Sequence, residues 1–322
     1  MVTAASQPGP QGTDLAACVH TAMLAPSIHN TQPWQFRIRD NGIDVYADWR
    51  RRLDVIDPNG RQLIISVGAA IMNLRLALHQ RGWASVVQVT AGQEESRHVA
   101  AVDCPGPAEE DRVLDELAMS MPRRHTNRQP FTPDPLPSRA ADELVAAAAV
   151  EGASLDVASD TARARIVRLI HAAEAQLHDE GVYPADLDDR TRPRPTRHGL
   201  GGAWYAAETV PLRDVGMMTP RRRGRLDLHE TYPTVLVLST EGDRRADWVR
   251  AGQAMERVWL TAIARGLAIA PMSQPLEIPR LRLEVTGSDP ARRAQVLLLV
   301  GYAPPTTATP RQIGRASCRE RV

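Results

Sequence analysis

The chain contains no lysine: all 39 of its basic residues are arginine. Bias toward GC-rich codons accounts for that substitution, so an arginine here matters by its place rather than by its number. Against 38 acidic residues the formal net charge is +1, which gives no overall attraction to nucleic acid or to an anionic membrane. Cysteine is scarce, three residues in all (Cys18, Cys104 and Cys318). No two stand at C-x-x-C spacing, so neither a zinc site nor a disulfide framework is supported. The histidines are scattered, without H-E-x-x-H or a similar ligand pattern. No stretch approaches the ~20 apolar residues of a membrane-spanning helix. Met1–Thr13 also lacks the basic start and apolar run of a secretory leader, so the expectation is a cytoplasmic protein.

What is present is ordinary globular material. The 322 residues are 43% hydrophobic and 24% charged, enough for one large domain or two medium ones with a sizeable core. Residues 14–24 read as a short helix with Thr13 as N-cap. Two strand-like segments, WQFRIRD and IDVYA, flank Asn41-Gly42, the strongest short hairpin signal. Asp57-Pro58 predicts the start of a long helix over 58–81, with Leu63, Val67, Ile71, Leu74 and Leu78 on one face. Its small residues Ser66, Gly68, Ala69 and Ala70 permit close packing against a neighbour. A strand at 84–90 and a helix at 108–119 follow. A second unit opens near Met119 with a basic loop. It continues with helices at 138–149 and 160–178, a buried strand at 233–240, and a helix at 244–265 with Val249, Ala254, Val258, Trp259 and Ala262 inward. A short strand then leads into the loop of LAIAPMSQPLE, and QVLLLVGY is a last buried strand. Residues 181–231 are rich in Pro, Gly and Arg with little periodicity, too long for a simple connection; a lid over a pocket and a surface insertion both fit. The tail 312–322, with Cys318, reads as non-native junction sequence and is set aside.

Two stretches carry chemistry. Pro26-Ser27-Ile28-His29-Asn30-Thr31-Gln32-Pro33-Trp34 disfavours helix and makes a polar turn. The carboxamides of Asn30 and Gln32 both donate and accept, which suits the alternating acceptors and donor of a flavin ring edge. A plain helix-to-strand turn meets the same composition. Arg123-Arg124-His125-Thr126-Asn127-Arg128 offers guanidinium forks and a hydroxyl to phosphate oxygens, and a solvated basic loop is the plainer alternative. His29 is a weak candidate for proton donation to a reduced substrate, or a structural hydrogen-bonding residue. Trp34, Trp83, Trp248 and Trp259 read as packing, and Asn73 as a lesser cofactor candidate.

Together these segments resemble the FMN-dependent nitroreductases, and in particular their Acg-type branch. The residues concerned are A-P-S-x-H-N-T-Q-P-W early, R-R-x-T-N-R midway and A-G-Q-A-x-x-R-V-W-L-T-A…G-L…P-x-S-Q-P-L-E late, over about residues 14–311. The resemblance implies an α+β, nitroreductase-like fold of two degenerate halves, each an antiparallel-biased sheet flanked by helices: 1–118 with the ring turn and 119–311 with the phosphate loop. In that family each FMN draws on two subunits. Here each half keeps the motif the other lacks, so one FMN per chain is expected. By motif, Pro26, Ser27, Ile28, His29, Asn30 and Gln32 would face the ring. Arg124, Thr126 and Arg128 would hold the phosphate, helped by Arg311, and Pro271, Met272, Ser273 and Gln274 would pass beside the ring.

The implied activity is hydride transfer from NAD(P)H to FMN N5 and on to a small-molecule electron acceptor, a nitroaromatic or a quinone, by ping-pong. The alternative is a non-catalytic protein that sequesters FMN beneath a lid. Nucleic-acid binding through Arg221-Arg222-Arg223 lacks an aromatic-interleaved basic motif or a helix-turn-helix pattern. A fused pair of halves is expected as a monomer, or as a homodimer.

Overall fold

Strands β1 (Trp34–Arg39) and β2 (Gly42–Ala47) form the hairpin that Asn41-Gly42 announces, with Trp34 opposite Ala47 and Arg39 opposite Gly42. The computed structural model describes residues 9–90, 96–179, 233–287, 289 and 291–305. Along the hairpin, Phe36, Ile43 and Val45 turn inward and alternate with Arg37 and Asp44, the period of a half-buried sheet. Strands β4 (His98–Asp103) and β3 (Val86–Val89) complete an antiparallel sheet in the order β1-β2-β4-β3.

A second sheet repeats that order. Strands β5 (Ser154–Val157), β6 (Thr234–Thr240), β7 (Ala268–Met272) and β8 (Arg293–Gly301) are all antiparallel, in the order β5-β6-β8-β7. The helices repeat too. The run α1 (Gly12–Ala22), β1, β2, α2 (Arg61–His79), β3, β4 recurs as α4 (Ser138–Val150), β5, β6, α6 (Arg245–Ala264), β7, β8, with α3 (Arg112–Ser120) between the two. Even a register slip recurs, at Val45/Tyr46 in β2 and at Leu238/Ser239 in β6. The second run has additions: α5 (Asp160–Asp179) after β5, and α7 (Gln274–Glu277) and α8 (Pro279–Val285) after β7. These cover the outer face of the second sheet, where Ile166, Ile170 and Leu281 meet Val235, Val237, Leu297 and Leu299. That cover explains why β6 and β8 read as unbroken apolar runs. The outer face of the first sheet instead carries the ion pairs Arg39–Asp44 and Arg39–Asp103.

The centre of the molecule is the crossing of α2 and α6. A Cβ on Gly68 would fall 3.0 Å from the Cα of Gly252, and one on Gly252 would fall 2.8 Å from the Cα of Gly68. The helices therefore meet backbone to backbone, which only glycine at both positions allows. One continuous core, from Leu15 to Val300, spans both halves, and the 118/119 boundary lies inside α3.

Several boundaries differ from expectation. Helix α1 begins at Gly12 after Gln11, with no side-chain cap, so Thr13 is inside it. Helix α2 begins at Arg61 rather than 58, because the Asp57 carboxylate folds forward to accept from the N–H groups of Gln62 (3.1 Å) and Leu63 (2.9 Å). Strands β4 and β5 had no counterpart in the sequence reading. The statement that no segment approaches membrane-spanning length also needs correction: α2 is long and apolar enough by composition, and most of it is buried within the fold, as a core helix would be.

Burial pushes the Asp57 carboxyl up to about 6, against the pull of its two N–H partners. Its unfolded value is about 3.9. Between about pH 4 and 6 the folded chain therefore holds a proton that the unfolded chain has released, and stability falls as pH rises through that window. Asp57→Asn keeps an acceptor for the helix N-terminus and cannot ionise. Urea unfolding between pH 4 and 7 is expected to show a flatter profile for the variant, which gains up to about 3 kcal/mol over wild type above pH 6. Parallel profiles would contradict this.

Candidate functional site

The segment between α1 and β1 folds as a single 3-10 turn, Ile28–Asn30, in which three non-glycine residues adopt left-handed φ: His29 at 43°, Asn30 at 57° and Gln32 at 49°. Each costs on the order of 1 kcal/mol or more, so surrounding bonds must hold the shape. The Ile28 N–H donates to Ser66 Oγ (3.1 Å), which itself donates to the Gln62 carbonyl (2.7 Å). The Gln32 N–H donates to Ser27 Oγ (2.9 Å), and Arg51 Nη1 donates to the Thr31 carbonyl (2.9 Å). Asn30, Thr31 and Gln32 are buried, and Thr31 Oγ1 has no hydrogen-bond partner among the described residues. Stored strain in a buried polar turn marks a place where geometry is held for a purpose.

The arginine loop lies against β7. The Asn127 N–H donates to the Ile269 carbonyl (2.8 Å), and Thr126 bridges Ile269 in parallel. Arg124 points inward and is 3% exposed. Its Nη2 donates to the Leu24 carbonyl (3.1 Å), its Nε faces Glu256 Oε1 (3.5 Å), and its guanidinium lies 4.8 Å from the Trp259 ring centroid. Burial lowers its pKa, with Glu256 opposing. Glu256 also takes the Asn73 amide, oriented so that Nδ2 donates to Oε1 (2.9 Å) while Oδ1 accepts from the Ala25 N–H (3.1 Å). The arginine loop of the second half and the chain leading into the asparagine turn of the first half thus meet across the seam. Arg128, 8% exposed, lies on the same loop, and burial lowers its pKa as well.

The late stretch is less uniform. Pro271 is exposed, whereas Met272 packs into the apolar cluster of the second sheet. Ser273 Oγ donates to Glu277 Oε1 (2.8 Å), and the Ser273 N–H donates to the buried Gln274 Oε1 (3.2 Å). Arg61 ties this stretch to α2, donating to the carbonyls of Leu276 (3.2 Å) and Gln295 (2.6 Å). Burial brings its pKa down to about 10, with the nearby Arg282 charge next. Arg61 and Ser66 stand five residues apart, about 7.5 Å of helix rise, so α2 fastens both the turn and the late stretch.

The sequence pattern missed Glu256, Ser66, Arg61 and Arg51 as parts of this constellation. Only Glu256 left a trace, as an acidic residue within the otherwise inward-facing run of α6. Arg311, Arg221-Arg222-Arg223, the lid segment 181–231 and the tail 312–322 lie outside the described residues.

The profile described as the nitroreductase family matches residues 122–302. A Mycobacterium tuberculosis (H37Rv) protein named as an NAD(P)H nitroreductase is 32% identical over 320 residues, covering 94% of this chain and 90% of its own. Acg from the same strain, also named as an NAD(P)H nitroreductase, is 28% identical over 312 residues, covering 92% and 93%. Among solved structures, the FMN-dependent nitroreductase NfnB from Mycobacterium smegmatis, in complex with NADPH, is 19% identical with a TM-score of 0.41, covering 65% of this chain and 99% of that one.

Proposed function

Because the chain belongs to the nitroreductase family, we propose that it is an oxidoreductase that binds one FMN at the seam of its two halves, takes hydride from NAD(P)H, and reduces a nitroaromatic or a quinone. The observation that carries this reading is the Arg124 bond to the Leu24 carbonyl, which joins the phosphate-type loop to the ring-type turn. The residues present suit such a ligand. Thr31 Oγ1 and Arg124 Nη1 are buried polar atoms with no hydrogen-bond partner among the described residues, and buried groups of that kind call for an acceptor or donor to satisfy them.

When bound, FMN supplies the N5 atom that accepts and returns hydride. The chain's part is binding and orientation. Thr126 and Arg128 would hold the phosphate, with Arg311 reaching it from the C-terminal end. Arg124, engaged with Glu256 and Trp259, would contribute its remaining nitrogen and keep the loop in place. Pro26, Ser27, Ile28, His29, Asn30 and Gln32 would line the ring. Pro271, Ser273 and Gln274 would close its far side, with Met272 serving the core beneath. NAD(P)H and the acceptor would use the same exposed face in turn, so no protein acid or base is obligatory.

Purified protein is expected to be yellow, with one FMN per chain, and to bleach promptly on adding NADPH without oxygen. Colour that persists with NADPH but disappears with dithionite would instead support sequestration. Arg128→Ala is expected to cost about 2–5 kcal/mol of FMN affinity while leaving riboflavin binding little changed. Equal losses for both ligands would remove Arg128 from the phosphate site.

A further inference from the structure

The internal repeat gives the two central helices a common register. With Gly68 matched to Gly252, Arg61 falls on Arg245, Asn73 on Arg257 and Arg75 on Trp259. The contacts obey the same symmetry. Arg61 donates to the backbone carbonyl of Gln295 on β8, and Arg245 to that of His98 on β4 (3.1 Å). The cleft at the seam should therefore have a second copy, built on the link between α4 and β5 as the first is built on the link between α1 and β1. That second link is only residues 151–153, so the turn is gone.

In its place stands Glu151, the residue that ends α4. Its side chain is nearly buried, with Oε2 2.6 Å from Arg75 Nη1 and Oε1 3.2 Å from Arg257 Nη1. Arg75 Nη1 also donates to Gln253 Oε1 (3.0 Å). The correspondence is close: Asn73 binds the first link at the Ala25 N–H, and its counterpart Arg257 binds the second at the Glu151 carboxylate. One carboxylate between two guanidiniums leaves the group with net positive charge. A phosphomonoester, with nearly two negative charges, would neutralise the pair more fully.

We infer that the second cleft is an anion site occupied by the chain itself: Glu151 sits between Arg75 and Arg257 where the phosphomonoester of a second ligand would lie, and so closes that copy. The inference rests on the one-cofactor reading for the identity of the excluded ligand, whereas its test needs no flavin.

Glu151→Ala would empty the space and leave both guanidiniums. Its melting midpoint is expected to fall in chloride and to recover by roughly 3–6 °C in inorganic phosphate at matched ionic strength, once phosphate is well above its dissociation constant. Wild type should show no phosphate-specific shift, and adding Arg257→Ala to the variant should abolish the recovery. An equal phosphate shift in wild type and variant, or no shift in the variant, would overturn the inference. If the alanine variant folds in neither buffer, Glu151→Gln decides. It keeps the volume and loses the charge, so it should melt below wild type without a phosphate response; wild-type stability would overturn the proposal. Two FMN per wild-type chain would defeat the one-cofactor reading separately, without touching the phosphate result.

Discussion

Gly252→Val is expected to yield no soluble, cooperatively melting protein. A Cβ at residue 252 would stand well under 3.0 Å from the Ile65 carbonyl oxygen and 2.8 Å from the Gly68 Cα. Both obstacles are backbone, so no side-chain rotation relieves them, and the two long helices would have to separate along the core that unites both halves. The alanine variant isolates the steric part. It gains about 1 kcal/mol of helix propensity, yet overpacking of this kind costs about 1–3 kcal/mol or more, so a lowered melting temperature is expected despite the better helix former. Gly68→Ala should behave alike, because a Cβ there meets the Val249 carbonyl oxygen. Since both act on one crossing, the double variant should depart from additivity. A valine variant that melts like wild type in circular dichroism would show that the helices do not cross at these glycines.

Glu256→Ala is expected to be the most damaging single loss of a side chain, about 3–5 kcal/mol in urea unfolding, because it leaves the Arg124 guanidinium in the interior without its counter-charge. The Asn73 amide would lose its acceptor in the same step, and with it the tie to Ala25 ahead of the ring-type turn. Flavin binding should therefore decline together with stability. Replacing both charges by leucine should recover much of the stability, since apolar pairs of similar volume often match a buried ion pair, but should not recover flavin binding. A cost under about 1 kcal/mol for Glu256→Ala would mean that Arg124 draws its support from the Leu24 carbonyl and Trp259 alone.

Much of the architecture was legible because local signals were strong. Asn41-Gly42 marks its hairpin, β6 and β8 stand out as apolar runs, and the inward face of α6 follows helical spacing. Strand β4 was not legible: Ala100 and Ala101 sit side by side and blur the alternation, leaving no contrast between its faces. The start of α2 was misplaced because Asp57 caps the helix from well outside it, a geometry that spacing does not encode. The two motifs were visible as residue types, but their meeting was not. The partner of Arg124 is Glu256, far along the chain, and only the crossing of α2 and α6 brings them together. Ser66 reads in sequence as one more small packing residue, yet it holds the strained turn by the Ile28 N–H.

The exchange between Arg61 and Arg245 has a consequence for the integrity of the chain. Each half places a cation on an acceptor owned by its sibling. A gene split between the repeats would encode fragments that are each born with an unmet obligation. Such fragments are expected to be recovered as a pair or not at all, so the fusion cannot be undone without creating an obligate heterodimer.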